Sequence, residues 1–176
     1  NIVWSKEHYG LTGSATGFFS AMAQAPGNGY VATYSSLTNG DLDWGILKLD
    51  NNGVSQWAKL MDEGASRDEA YDVVQTMDGG LAVLGITTNY QGPSLEYMMT
   101  LTTFDGSGNR LSYHVYDYFE QLQPRSLTQT ADGGFVLTGS TYGLKTLLVK
   151  TDATGNIQWQ KLGSGAITQE GFGLAP

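Results

Sequence analysis

The chain has 176 residues, a net charge of −8, 24 glycines, no cysteine and 15% charged residues, well under the roughly 25% of ordinary globular domains. An acidic chain has no basic patch to displace counterions from phosphate, which excludes nucleic acid as a partner and disfavours anionic lipid. Without cysteine there are no disulfides or thiolate metal sites, and no apolar run approaches the ~20 residues that span a bilayer. Glycine with Ser, Thr and Tyr in place of charges is the composition of a turn-rich, all-β protein, and the absence of cysteine suits an extracellular protein stabilised by its core alone.

In chain order, residues 1–10 read as the last strand of a repeat, because Asn1-Ile2-Val3-Trp4 matches the second half of a hairpin that recurs downstream. The chain is therefore expected to be a segment of something longer. Gly17–Ala25 carries an Ala-x-Ala pattern, but its apolar core is too short for a signal peptide and no basic stretch precedes it. It reads instead as the first strand of repeat one, about 16–62.

Repeat two, about 69–118, and repeat three, about 122–163, carry Gln75-Thr76-Met77-Asp78-Gly79-Gly80 and Gln129-Thr130-Ala131-Asp132-Gly133-Gly134, 54 residues apart. In repeat one this turn has become Gly27-Asn28-Gly29. A second turn, Asp-x-x-Gly, precedes the last strand at Asp50–Gly53, Asp105–Gly108 and Asp152–Gly155, followed by Trp57, Ser112 and Trp159 at one shared position. Asp and Gly in these places are hairpin chemistry, since Asp bonds its own backbone and Gly supplies positive φ. Each repeat thus reads as four short strands. Continuous apolar runs such as Phe135-Val136-Leu137-Thr138 predict inner strands buried on both faces. A further first strand is expected from Gly171.

These two motifs, above all Leu147–Lys161 with both turns intact nearby, make the chain resemble the Asp-Gly-Gly/Trp β-propeller repeats of bacterial and archaeal secreted and surface proteins. The resemblance covers essentially the whole chain. It implies a β-propeller-like fold, with three complete four-stranded repeats of about 50 residues and a strand at each end, as a single repeat-built domain over 1–176. It also implies an extracellular or cell-surface location, and no catalytic residues. The rival all-β fold is a β-trefoil. An uncovered blade face, ~380 Å² by strand geometry, forfeits on the order of 5–10 kcal/mol, so a protein partner or self-association is expected.

The candidate ligand site lies on the loops between second and third strands. Asp41, Asp43 and Trp44 are placed there in repeat one, Asn89 and Tyr90 in repeat two, and Tyr142 in repeat three. Carboxylates beside aromatics are the residue types of a sugar or cation site, so a glycan is the alternative partner. Asp50, Asp105 and Asp152 read as turn caps, because a calcium loop of the EF-hand kind would need a downstream bidentate Glu. Trp57 and Trp159 read as packing between repeats, and Ser112 leaves one junction without its Trp. Asp62, Glu63, Asp68, Glu69 and Asp72, with Arg67 among them, read as a solvated connection. His8 and His114 sit in last-strand runs, and no nucleophile elbow, phosphate loop or histidine metal spacing occurs. The expected function is a non-enzymatic structural or binding module with no metal and no cofactor. The alternatives are a carbohydrate-binding propeller and a fragment of a propeller enzyme.

Overall fold

The computed structural model describes residues 18–25, 27, 29–38, 40–62, 64, 67–89, 96–117, 121–141 and 145–163. Among these the protein is all-β, with twelve strands and no helix. They form three four-stranded antiparallel sheets, each a simple meander of consecutive strands. Sheet one holds β1 (Phe19–Ala25), β2 (Gly29–Thr38), β3 (Asp41–Leu49) and β4 (Ser55–Met61). Sheet two holds β5 (Asp68–Gln75), β6 (Leu81–Asn89), β7 (Glu96–Phe104) and β8 (Arg110–Tyr116). Sheet three holds β9 (Leu122–Gln129), β10 (Phe135–Thr141), β11 (Thr146–Thr151) and β12 (Ile157–Leu162). The first strands β1, β5 and β9 lie against one another in sequence order. The described sheets do not close into a ring.

The turn residues form the hairpins that the sequence predicts. Thr76 N–H donates to the Gly80 carbonyl at 3.0 Å, and the Asp78 carboxylate accepts from the Thr76 hydroxyl at 2.5 Å. Thr130 and Asp132 repeat the arrangement. The second glycine is required by proximity, since a Cβ at Gly80 would stand 2.2 Å from the Phe104 carbonyl oxygen. Gly29 meets the Leu49 carbonyl at the same 2.2 Å, so the altered turn of repeat one keeps the glycine that the fold needs.

In the other turn the Asp side chain accepts two amides, those two and four residues further on. Asp50 takes Asn52 and Val54, both at 2.8 Å; Asp105 takes Ser107 and Asn109; Asp152 takes Thr154 and Asn156. These carboxylates are turn caps.

Two cores lie between the sheets. Val31, Trp44 and Ile46 of sheet one meet Val73, Val83 and Phe104 of sheet two, where Trp44 stands edge-on to Phe104 at 6.2 Å. Leu84, Met99 and Leu101 of sheet two meet Leu127, Leu137 and Val149 of sheet three. Sheet two is therefore covered on both faces, and β6 is buried continuously from Leu81 to Thr88. β10 alternates buried and half-buried residues instead. The expectation of two buried faces for Phe135–Thr138 is corrected: Val136 and Thr138 point away from sheet two and are only half-buried.

Candidate functional site

Strands that alternate in direction put the two kinds of hairpin turn at one end of every sheet. The connections between second and third strands, and between consecutive sheets, lie at the other. Asp41, Asp43 and Trp44 were expected on a loop, but they belong to β3, with Asp41 paired to Thr38 and Asp43 to Ser36. Asp41 is exposed, whereas Asp43 and Trp44 are buried at 1% and 2%. Trp44 fills the core beside Phe104 and presents no ring face to a ligand in solution. Asn89 ends β6 opposite Glu96. Its side chain, together with Tyr90 and Tyr142, lies outside the described residues. Of the expected site residues that are described, Asp43 and Trp44 are thus buried in β3 and only Asp41 is exposed.

Of the acidic run expected as a solvated connection, Asp62 is exposed, but Asp68 and Glu69 are buried. Leu42 and Arg67 form a parallel bridge that carries β3 onto the start of β5, and Asp68 is buried beside it. Asp72 reaches across to sheet three, where its carboxylate accepts from the Leu127 amide at 2.7 Å and the Ser126 hydroxyl at 3.1 Å. Asp72 thus joins sheet two to sheet three. No group of three or more His, Asp or Glu able to hold a metal occurs among the described residues, and no described helix is long and apolar enough to cross a membrane.

Two arrangements stand out. The first is the contact between a last strand and the next sheet's Asp-x-x-Gly turn. Trp57 lies so close over Gly108 that a Cβ there would stand 2.6 Å from the indole. Gly108 itself has φ +76°, which L side chains rarely adopt. Lys59 sits 5.6 Å over the Trp57 ring and donates to the Gly108 carbonyl at 2.7 Å and to Asn109 Oδ1 at 3.1 Å.

At the second junction Ser112 holds the Trp position, yet the contact survives by other means. His114 covers Gly155, stacks on Tyr116 at 6.3 Å, and the Tyr116 hydroxyl donates to the Gly155 carbonyl at 2.7 Å. Sequence reading missed this because the substitutes stand two and four residues further along β8. On β12 the Trp57–Lys59 pair recurs as Trp159 and Lys161, again ring under ammonium at 5.4 Å. Here Trp159 is 42% exposed, beside exposed Ile157 and Leu162.

The second arrangement is a cleft of about 210 Å³ between sheets two and three, at the end carrying the second-to-third-strand connections. Ile86 and Leu122, both buried, lie at its base. Arg67, Tyr71, Tyr97, Gln121 and Gln123 surround it. Arg67 donates through Nε to Glu69 Oε1, and its guanidinium lies 6.0 Å over the Tyr97 ring. Arg125 donates to Gln123 Oε1 at 3.3 Å. Burial, with Glu69 nearby, raises the Tyr71 phenol above its ordinary value, so it stays protonated and able both to donate and to accept. The sequence reading had only one clue to this cleft, the single Arg67 set among acids.

No protein-family model matches the chain, and no curated protein shows significant sequence similarity to it.

Proposed function

We propose that the chain is a non-enzymatic structural and binding module of the β-propeller type that acts in an extracellular assembly. Three separate meander sheets packed face to face support blades over a trefoil. The setting rests on the repeat resemblance and on a composition poor in charge and free of cysteine.

One observation carries the assembly reading: the Trp–Lys pair that seals sheet one onto sheet two is formed again on β12, where it stands exposed. A ring already stacked under its ammonium meets a partner with little further ordering to do, which favours binding. The partner proposed is a second copy of the chain. Sedimentation velocity over a range of concentrations tests this. Mass-action growth that Trp159→Ala abolishes is expected; a particle near 18.9 kDa at every concentration overturns it.

A further inference from the structure

We propose that the cleft between sheets two and three binds a single neutral sugar ring. Its size comes first. At about 210 Å³ the cleft falls below the ~300–1,000 Å³ of drug-sized sites, so it suits one ring rather than a chain of them.

The lining sets the chemistry. A pyranose has apolar C–H faces and a rim of hydroxyls that donate and accept. The Tyr71 and Tyr97 rings, set over the buried Ile86 and Leu122, supply the aromatic surface for the faces. The rim has both kinds of partner: two phenols, the Gln121 amide, the Arg67 guanidinium and Gln123. Arg125 takes the Gln123 carbonyl oxygen, which leaves Nε2 as that residue's donor.

Arg67 does not turn the cleft into an anion site. Its charge is met by Glu69, and the chain as a whole carries −8. Arg67 instead acts as a fixed planar donor, held on one side by Glu69 and on the other by the Tyr97 ring. Preorganised polar groups of this kind cost little to order when a hydroxyl arrives.

Trp44, Asp43 and Asp41 take no part in this site. Nor does the inference rest on the assembly reading, because Trp159 lies on sheet three's opposite face, at a strand that does not line the cleft.

Saturation-transfer NMR on the full chain tests it, with glucose, galactose, mannose and N-acetylglucosamine as neutral probes, and glucuronate and inorganic phosphate as anionic ones. Transfer to at least one neutral sugar is expected, with a dissociation constant on the order of 1 mM, as befits about a dozen heavy atoms. Tyr97→Ala should weaken it about tenfold by removing the stacking face. Gln121→Ala, at an exposed side chain where folding is not at stake, should weaken it less, and Trp159→Ala should leave it unchanged. Silence from every neutral sugar overturns the proposal. So does preferential binding of glucuronate or phosphate, or transfer that survives both Tyr97→Ala and Gln121→Ala.

Discussion

β6 and β10 occupy the same place in consecutive repeats and read alike, Leu81-Ala82-Val83-Leu84 against Phe135-Val136-Leu137-Thr138. Their surroundings differ. β6 lies between two packed faces and is buried from Leu81 to Thr88, whereas β10 has one packed face and alternates. A continuous apolar run therefore records what a strand is able to bury. Whether both faces are covered depends on the neighbour.

The contrast is sharpest in stability. Leu84→Ala empties a fully buried position between sheets two and three and should cost about 2–5 kcal/mol in urea unfolding. Val136→Ala, half-buried on the outward face, should cost about 1 kcal/mol or less. Equal costs would mean that both faces of sheet three are packed, and the comparison would fail.

The two tryptophans extend the comparison to the sheet edges. Trp57→Ala removes a half-buried ring from the first junction and should cost about 2–3 kcal/mol, less than a fully buried Trp would. Trp159→Ala should change dilute-solution stability by no more than about 0.5 kcal/mol. Next comes the substitute contact of the second junction. Tyr116→Phe leaves the Gly155 carbonyl without its buried donor and should lower stability by about 1–2 kcal/mol in a thermal melt, with the stack on His114 retained. No change would mean that His114 alone holds that junction.

The smallest effect is in acid. Asp152 is lowered to about 2, first by the Thr154 hydroxyl and then by the Asn156 amide. Asp132 is also lowered to about 2, first by the Thr130 hydroxyl and then by Lys150. A carboxyl whose folded pKa is depressed contributes stability that is fully present above its unfolded value near 3.8 and is lost as pH falls through about 2. Unfolding followed between pH 4 and 2 should show a loss that Asp152→Asn flattens. Both groups are exposed, so solvent screening keeps that loss small.

Turn chemistry was legible in the sequence because the Asp caps are local, each accepting amides two and four residues further on. Strand boundaries beside glycine were less so. Gly40-Asp41-Leu42-Asp43 has loop composition, but pairing with β2 and the bridge to Arg67 draw it into β3. The cleft was illegible for a different reason. Arg67, Ile86, Tyr97 and Gln121 come from four segments, and only the stacking of two sheets brings them together. Asp72 shows the same limit, since nothing in an acidic run signals that one member will accept an amide 55 residues away.

The meander order of every sheet has a consequence for how the molecule comes to be. Each described strand pairs along its length only with a strand next to it in the chain, so no ladder waits for a distant segment to arrive. Loop closures stay short, and loop closure is what slows most β proteins. On the ribosome, sheet one can finish its hydrogen bonding before the residues of sheet three exist. Each finished sheet then offers a template on which the next condenses, so synthesis itself sets the order of folding.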